Sequence, residues 1–89
     1  MDGGRYEVRI APAARKEIDR LPRQPRERVE SAIVALAHNP RPVGSCKLEG
    51  TDDTYRIRVG NYRVVYRVYD TELVVLIVKV GDRKDIYRH

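Results

Sequence analysis

Tyr55-Arg56-Ile57-Arg58-Val59-Gly60-Asn61-Tyr62-Arg63-Val64-Val65-Tyr66 is the stretch on which the fold of this chain turns. Two alternating runs flank Gly-Asn, a dipeptide suited to the positive φ angles of tight primed turns, so the stretch predicts a β-hairpin with a two-residue loop. Such a loop pairs Val59 with Tyr62, Arg58 with Arg63, Ile57 with Val64 and Arg56 with Val65. Successive side chains point to opposite faces, which gathers Tyr55, Ile57, Val59, Tyr62, Val64 and Tyr66 on one apolar side. Arg56, Arg58 and Arg63 take the other side, with Arg58 and Arg63 directly opposed. Like charges so placed cost on the order of 0.2–1 kcal/mol. A chain that accepts this repulsion is either presenting guanidinium groups to an anion or carrying an ordinary solvated sheet face.

Outward from the hairpin, the elements follow from apolar spacing. Tyr6-Glu7-Val8-Arg9-Ile10 alternates as a half-buried strand does. Ala14, Ile18 and Leu21 recur at helical spacing between Ala13 and Leu21, with Pro12 acceptable in the first turn and Pro22 as the stop. A second helix is predicted from Pro25 to His38, burying Val29, Ile33 and Leu36 before Asn39-Pro40-Arg41-Pro42 ends it. Residues 40–53 read as one long loop anchored by Leu48. After the hairpin, Asp70-Thr71 predicts a second tight turn, whose simplest register pairs Arg63 with Val78. Leu73 to Val80 is apolar on both faces and reads as a central, fully covered strand. The expected fold is α+β: two layers, order β-α-α-β-β-β, with a mainly antiparallel four-stranded sheet and a helical hairpin on one face.

Composition narrows the function classes. The 89 residues suit a single domain spanning 1–89, and no segment is long and apolar enough to cross a membrane. Met1 to Arg5 lead into the first strand without the apolar core of a signal peptide. Cys46 has no cysteine to pair with, which fits a cytoplasmic location. The two histidines, His38 and His89, flank no cysteine or carboxylate at metal-ligand spacing, so neither a metal site nor a cofactor is expected. A net charge of +5 with pI near 9.7 favours a polyanionic partner. Arginine far outnumbers lysine, and its planar fork suits bidentate contacts to phosphate.

If the helices cover the apolar face, the arginine face looks outward. The simplest register then converges Arg56, Arg58, Arg63, Arg83 and Tyr87. Guanidiniums bind phosphate oxygens by charge-assisted hydrogen bonds, and a tyrosine can stack on a base or bond a phosphate. If such a site cleaves RNA, the substrate's own 2′-OH supplies the nucleophile and fixed cations stabilise the charge growing on the phosphate. A general base is harder to find. Tyr87, Lys84, Asp82 and Glu49 are the titratable candidates, so the residues alone support an anion site more strongly than an enzyme.

Lys47-Leu48-x-Gly50, Tyr55-Arg56-Ile57-Arg58, Gly60-x-Tyr62-Arg63-Val64-Val65-Tyr66 and Val80-Gly81-x-Arg83-(x)3-Tyr87 together resemble the RelE toxins of the RelE/ParE superfamily, over nearly the whole chain. The resemblance implies a type II toxin that cleaves messenger RNA in the ribosomal A site by 2′-OH attack, leaving a 2′,3′-cyclic phosphate and a 5′-hydroxyl. It also implies a cognate RelB-like antitoxin, the 70S ribosome as partner, and a short C-terminal helix. Position by position, it implies catalytic roles for Arg63 on the phosphate, Arg83 on the transition state or leaving oxygen, and Tyr87 on the 2′-OH. Arg56 and Arg58 would bind RNA, with Lys47 and Lys84 as further ribosomal RNA contacts. Asp82 departs from the family, where basic residues or histidine are frequent. Two other readings stay open at this point: a ParE-like inhibitor of gyrase, and an inactive RNA- or protein-binding module.

Overall fold

The computed structural model describes residues 5–82. They form a five-stranded sheet with two helices on one face, in the order β1 (Glu7–Ile10), α1 (Pro12–Asp19), α2 (Arg23–Ala35), β2 (Cys46–Lys47), β3 (Thr54–Val59), β4 (Tyr62–Tyr69) and β5 (Val74–Asp82). Across the sheet the order is β1-β5-β4-β3-β2, with β1 parallel to β5 and the other pairs antiparallel. The α+β class and the helical hairpin are as expected. The strand count is not: residues 40–53 hold a short edge strand, β2, two residues long and exposed. Leu48 is half-buried, and its N–H donates to the Thr54 carbonyl at 2.9 Å.

The predicted hairpin register is observed pair for pair, from Val59 with Tyr62 to Tyr55 with Tyr66. Gly60 takes φ 60°, the left-handed value that a first turn position needs and that glycine adopts without Cβ strain. The helices depart from expectation only at their ends. α1 stops at Asp19, where the Arg20 N–H bonds back to the Lys16 and Glu17 carbonyls. α2 begins at Arg23, because Pro25 falls in the first turn, where no N–H donor is required. Beyond Ala35 the chain tightens into three-residue-spaced bonds, Leu36 to Ile33, Ala37 to Val34 and His38 to Ala35.

The β4–β5 register differs from the expected one by three residues: Arg63 faces Gly81, not Val78. Two local features account for the offset. The turn runs from Asp70 through Leu73, with Leu73 at φ 57°, in place of the tight Asp70-Thr71 turn. A β-bulge then leaves Val78 without an opposite residue, since Val65 faces Lys79 while Tyr66 faces Ile77. Nor is β5 covered on both faces. Val75, Ile77 and Val80 are buried under the helices, whereas Val74, Leu76 and Val78 are half-exposed.

The core lies between the helices and this sheet face: Ala14 and Ile18 from α1, Val29 and Ile33 from α2, and Ile57, Val64, Tyr66, Val68, Val75, Ile77 and Val80 from the strands. At its edge a polar latch ties the segment after α2 to the sheet. Arg41 lies over the Tyr55 ring, 5.2 Å from its centroid, donates to the Tyr55 hydroxyl at 3.0 Å, and pairs with Asp70 at 2.7 Å. Tyr6 donates to the other Asp70 oxygen at 2.7 Å. The Arg41 hydrogen bond, reinforced by Tyr6, holds the Asp70 carboxyl below its ordinary value. A depressed carboxylate stabilises the fold above its unfolded pKa and loses that contribution as pH falls through the folded one. Asp70→Asn is therefore expected to lower stability at neutral pH and to flatten the acid limb below about pH 4, as read from urea midpoints across pH. Parallel acid limbs for the two proteins would rule the latch out as the acid-sensitive element.

Candidate nucleic-acid interface

The candidate site lies at the end of the sheet where β4 begins and β5 ends. β4 is the middle strand, so Arg63 has a neighbour on each side: Arg58 across β3 and Gly81 across β5. Directly paired residues share a sheet face, so Arg58, Arg63 and Gly81 form one row, on the face turned away from the helices. Arg56 lies in the next row of that face, with Cys46 and Val65 opposite it. Thus Arg56, Arg58 and Arg63 do converge as their alternation requires.

Their exposure is graded, which the expectation of an outward arginine face did not anticipate. Arg58 is exposed, Arg56 is half-buried, and Arg63 is only 2% exposed. A central strand position, flanked on both sides, accounts for part of this difference. Burying a cation costs several kcal/mol unless it is compensated, and both Arg56 and Arg63 have interaction partners. Gly81 also matters here, because it puts no side chain opposite Arg63, where a paired Cβ would stand about 4.5–5.5 Å away.

Other predicted site residues fall elsewhere. Lys47 pairs with Tyr55, which sets it on the helix-side face at the exposed outer edge, apart from the arginine row. Arg83, Lys84, Tyr87 and the stretch expected to form a short C-terminal helix lie outside the described residues. Asp82 pairs with Tyr62, so the one acidic departure from the family pattern belongs to the helix-side face. A cavity of about 330 Å³ there is lined by Glu17, Arg20, Tyr62, Lys79 and Asp82 among others. The bulge decides this placement, and it keeps the carboxylate out of the row that holds Arg63.

Two features were missed in the sequence. Arg56 and Arg58 line a groove of about 670 Å³ whose other walls include Ala32, Leu36, Cys46 and Val43, the last fully exposed. Arg28, an exposed residue of α2, lies over the hairpin tip. Its Nη1 is 3.6 Å from where a Cβ on Gly60 would stand. Neither is legible in strand alternation, because both come from how α2 and its following segment lie against β3. Among the described residues no group of three or more His, Cys, Asp or Glu is placed to hold a metal. No helix among them is long and apolar enough to cross a membrane.

Comparison with known proteins agrees with this architecture. The family described as the ParE toxin of the type II toxin–antitoxin system parDE matches residues 8–87. Toxin RelG of Mycobacterium tuberculosis is 37% identical over 86 residues, covering 93% of this chain and 97% of that protein. The mRNA interferase toxin RelE of Escherichia coli is 35% identical over 78 residues, covering 83% and 81%. In three dimensions, the archaeal RelE–RelB complex from Pyrococcus horikoshii aligns with TM-score 0.79 at 34% identity, over 94% of this chain and 98% of the matched one. With its hairpin, helices and sheet matched from end to end by toxins of one kind, the chain belongs to the RelE family within the RelE/ParE toxins of type II toxin–antitoxin systems.

Proposed function

We propose that this toxin, a single domain over residues 1–89, is a ribosome-dependent endoribonuclease that cuts messenger RNA in the A site without a metal ion. The observation that carries the reading is the row Arg58–Arg63–Gly81 with Arg56 beside it, fixed cations on one sheet face at the point where the chain runs on to Arg83. The RelE relatives named as mRNA interferases support the same chemistry. Arg63 holds the scissile phosphate, Arg83 neutralises charge on the transition state or the leaving 5′-oxygen, and Tyr87 orients or activates the 2′-OH. Arg56 and Arg58 grip the flanking backbone, and Lys47 and Lys84 contact ribosomal RNA. The nucleophile belongs to the substrate, so the protein's task is to position and to stabilise charge. Sparse acid–base groups explain why the ribosome is needed to complete the geometry, and why naked RNA is a poor substrate. The net charge of +5 steers docking, which weakens as salt rises. Complexes of related toxins with RelB support a RelB-like antitoxin as the partner of this chain.

The test is a set of 70S ribosomes programmed with a defined message, treated with wild type or Arg83→Ala and mapped by primer extension. A wild-type cut within the A-site codon is expected, with a 2′,3′-cyclic phosphate upstream and a 5′-hydroxyl downstream. A 5′-phosphate at the downstream end would point to metal-assisted hydrolysis and sink the 2′-OH mechanism. Absence of any cut across several codons, with DNA damage in cells, would favour the gyrase-inhibitor reading.

A further inference from the structure

β1 accompanies β5 only from Val74 to Ile77, after which the chain leaves β1 for α1. From Val78 to Asp82 the β1-side edge of β5 therefore has no strand beside it among the described residues. The same segment carries the bulge at Val78, a local break in the ladder. A strand with one open edge and a bulge is prone to fray or slip. A slip of one residue would take Gly81 away from Arg63 and turn Asp82 toward the arginine row.

Besides its pairing with β4, this segment is reached by a carboxylate on α1 that makes two contacts with it. Glu17 Oε1 accepts the Val80 N–H at 2.7 Å, and Glu17 Oε2 lies 3.6 Å from Lys79 Nζ. The backbone contact is charge-assisted and short. It takes the N–H that points away from β4, where β1 would have continued. Glu17 is itself well placed to fix a distance, because its neighbour Ile18 is fully buried in the core. The contacts bracket the bulge exit, one residue before Gly81.

We infer that Glu17 is a positioning residue: it stands in for the missing β1 neighbour and sets the register that brings Gly81 against Arg63. The inference rests on the cleavage reading for its effect on rate. Arg63 is enclosed beside Gly81, so the geometry around its guanidinium inherits any error in that register. A misplacement near 1 Å in a positioned site costs on the order of a hundredfold.

Four variants test it on programmed ribosomes, with amide hydrogen exchange measured on the protein alone. Glu17→Ala removes both contacts. Glu17→Asp keeps the charge but shortens its reach by one carbon. Glu17→Gln keeps an acceptor for the Val80 N–H, and Lys79→Met removes only the ion pair. Glu17→Ala and Glu17→Asp are expected to lose roughly 10–100-fold in kcat with KM within about twofold, and to lose exchange protection at Val80 while Val64 keeps its own. Glu17→Gln and Lys79→Met are expected to stay within about threefold of wild type. If Glu17→Ala does not fold, Glu17→Asp carries the same comparison. Wild-type kcat and wild-type protection at Val80 in Glu17→Asp would overturn the inference, as would an equal fall in Glu17→Gln. Should wild type itself fail to cut, the cleavage reading falls and exchange alone decides, loss at Val80 supporting the register role and unchanged protection refuting it.

Discussion

Arg63→Ala is expected to lower A-site cleavage by roughly 10²–10³-fold in kcat, the effect of removing one fixed charge-stabilising group from a transition state. The expectation follows from where the side chain sits. Arg63 is in the middle strand, flanked by Arg58 and Gly81, and is 2% exposed. A cation so enclosed is less screened by water than Arg58, so its field at a bound phosphate is stronger. Ribosome binding, as proposed, should survive, because it would draw on the dispersed charge of the whole surface, including exposed residues such as Arg23 and Arg58. Arg63→Lys should recover only part of the rate, since an ammonium offers a point charge where the guanidinium offers a planar fork. Single-turnover cleavage with circular dichroism as a folding control checks both. An Arg63→Ala protein that is folded and cuts within threefold of wild type would remove Arg63 from the mechanism.

Tyr66→Ala is expected to cost about 3–5 kcal/mol, a large share of the roughly 5–15 kcal/mol that holds a domain together. The ring is fully buried in the core and stacks on Tyr55 with centroids 6.0 Å apart. Its hydroxyl donates to the Pro40 carbonyl at 2.8 Å, which seats the segment after α2 against the sheet. Burial pushes the phenol up to about 12, so that donor stays protonated throughout the neutral range. Tyr66→Phe should cost about 1–3 kcal/mol, because the Pro40 carbonyl loses its partner while the ring packing remains. Urea denaturation followed by circular dichroism gives both numbers. A Tyr66→Ala loss under about 1 kcal/mol would show that the core around this ring repacks freely.

The two predictions differ in how visible they were beforehand. Tyr66 was legible as a packing residue, since it alternates with Val64 on the apolar side of the hairpin. Arg63 was legible as a site candidate from its opposition to Arg58, but its burial was not. Alternation gives the face of a side chain, whereas burial depends on how many strands flank it, and that count requires the whole sheet. Lys47 shows the same gap. Nothing in Lys47-Leu48-Glu49 announces a two-residue strand, and only its pairing with Tyr55 assigns Lys47 to the far face from the arginines.

By itself, then, the sequence determined the elements whose causes are local. Helical spacing of Ala14, Ile18, Val29 and Ile33 defined two helices, alternation defined the strands, and Gly60-Asn61 left one register open to the hairpin. Arg56, Arg58 and Arg63 were thereby committed to a common face. The tertiary structure alone decided the β4–β5 register, through Leu73 in the left-handed region and the bulge at Val78. Both are small backbone irregularities that no side-chain pattern encodes, because they are selected by competition among packings: Val75, Ile77 and Val80 must all reach the core beneath α1 while β1 pairs with only the first part of β5. That competition puts Gly81 opposite Arg63, sends Asp82 to the other face, and leaves an open strand edge that Glu17 closes.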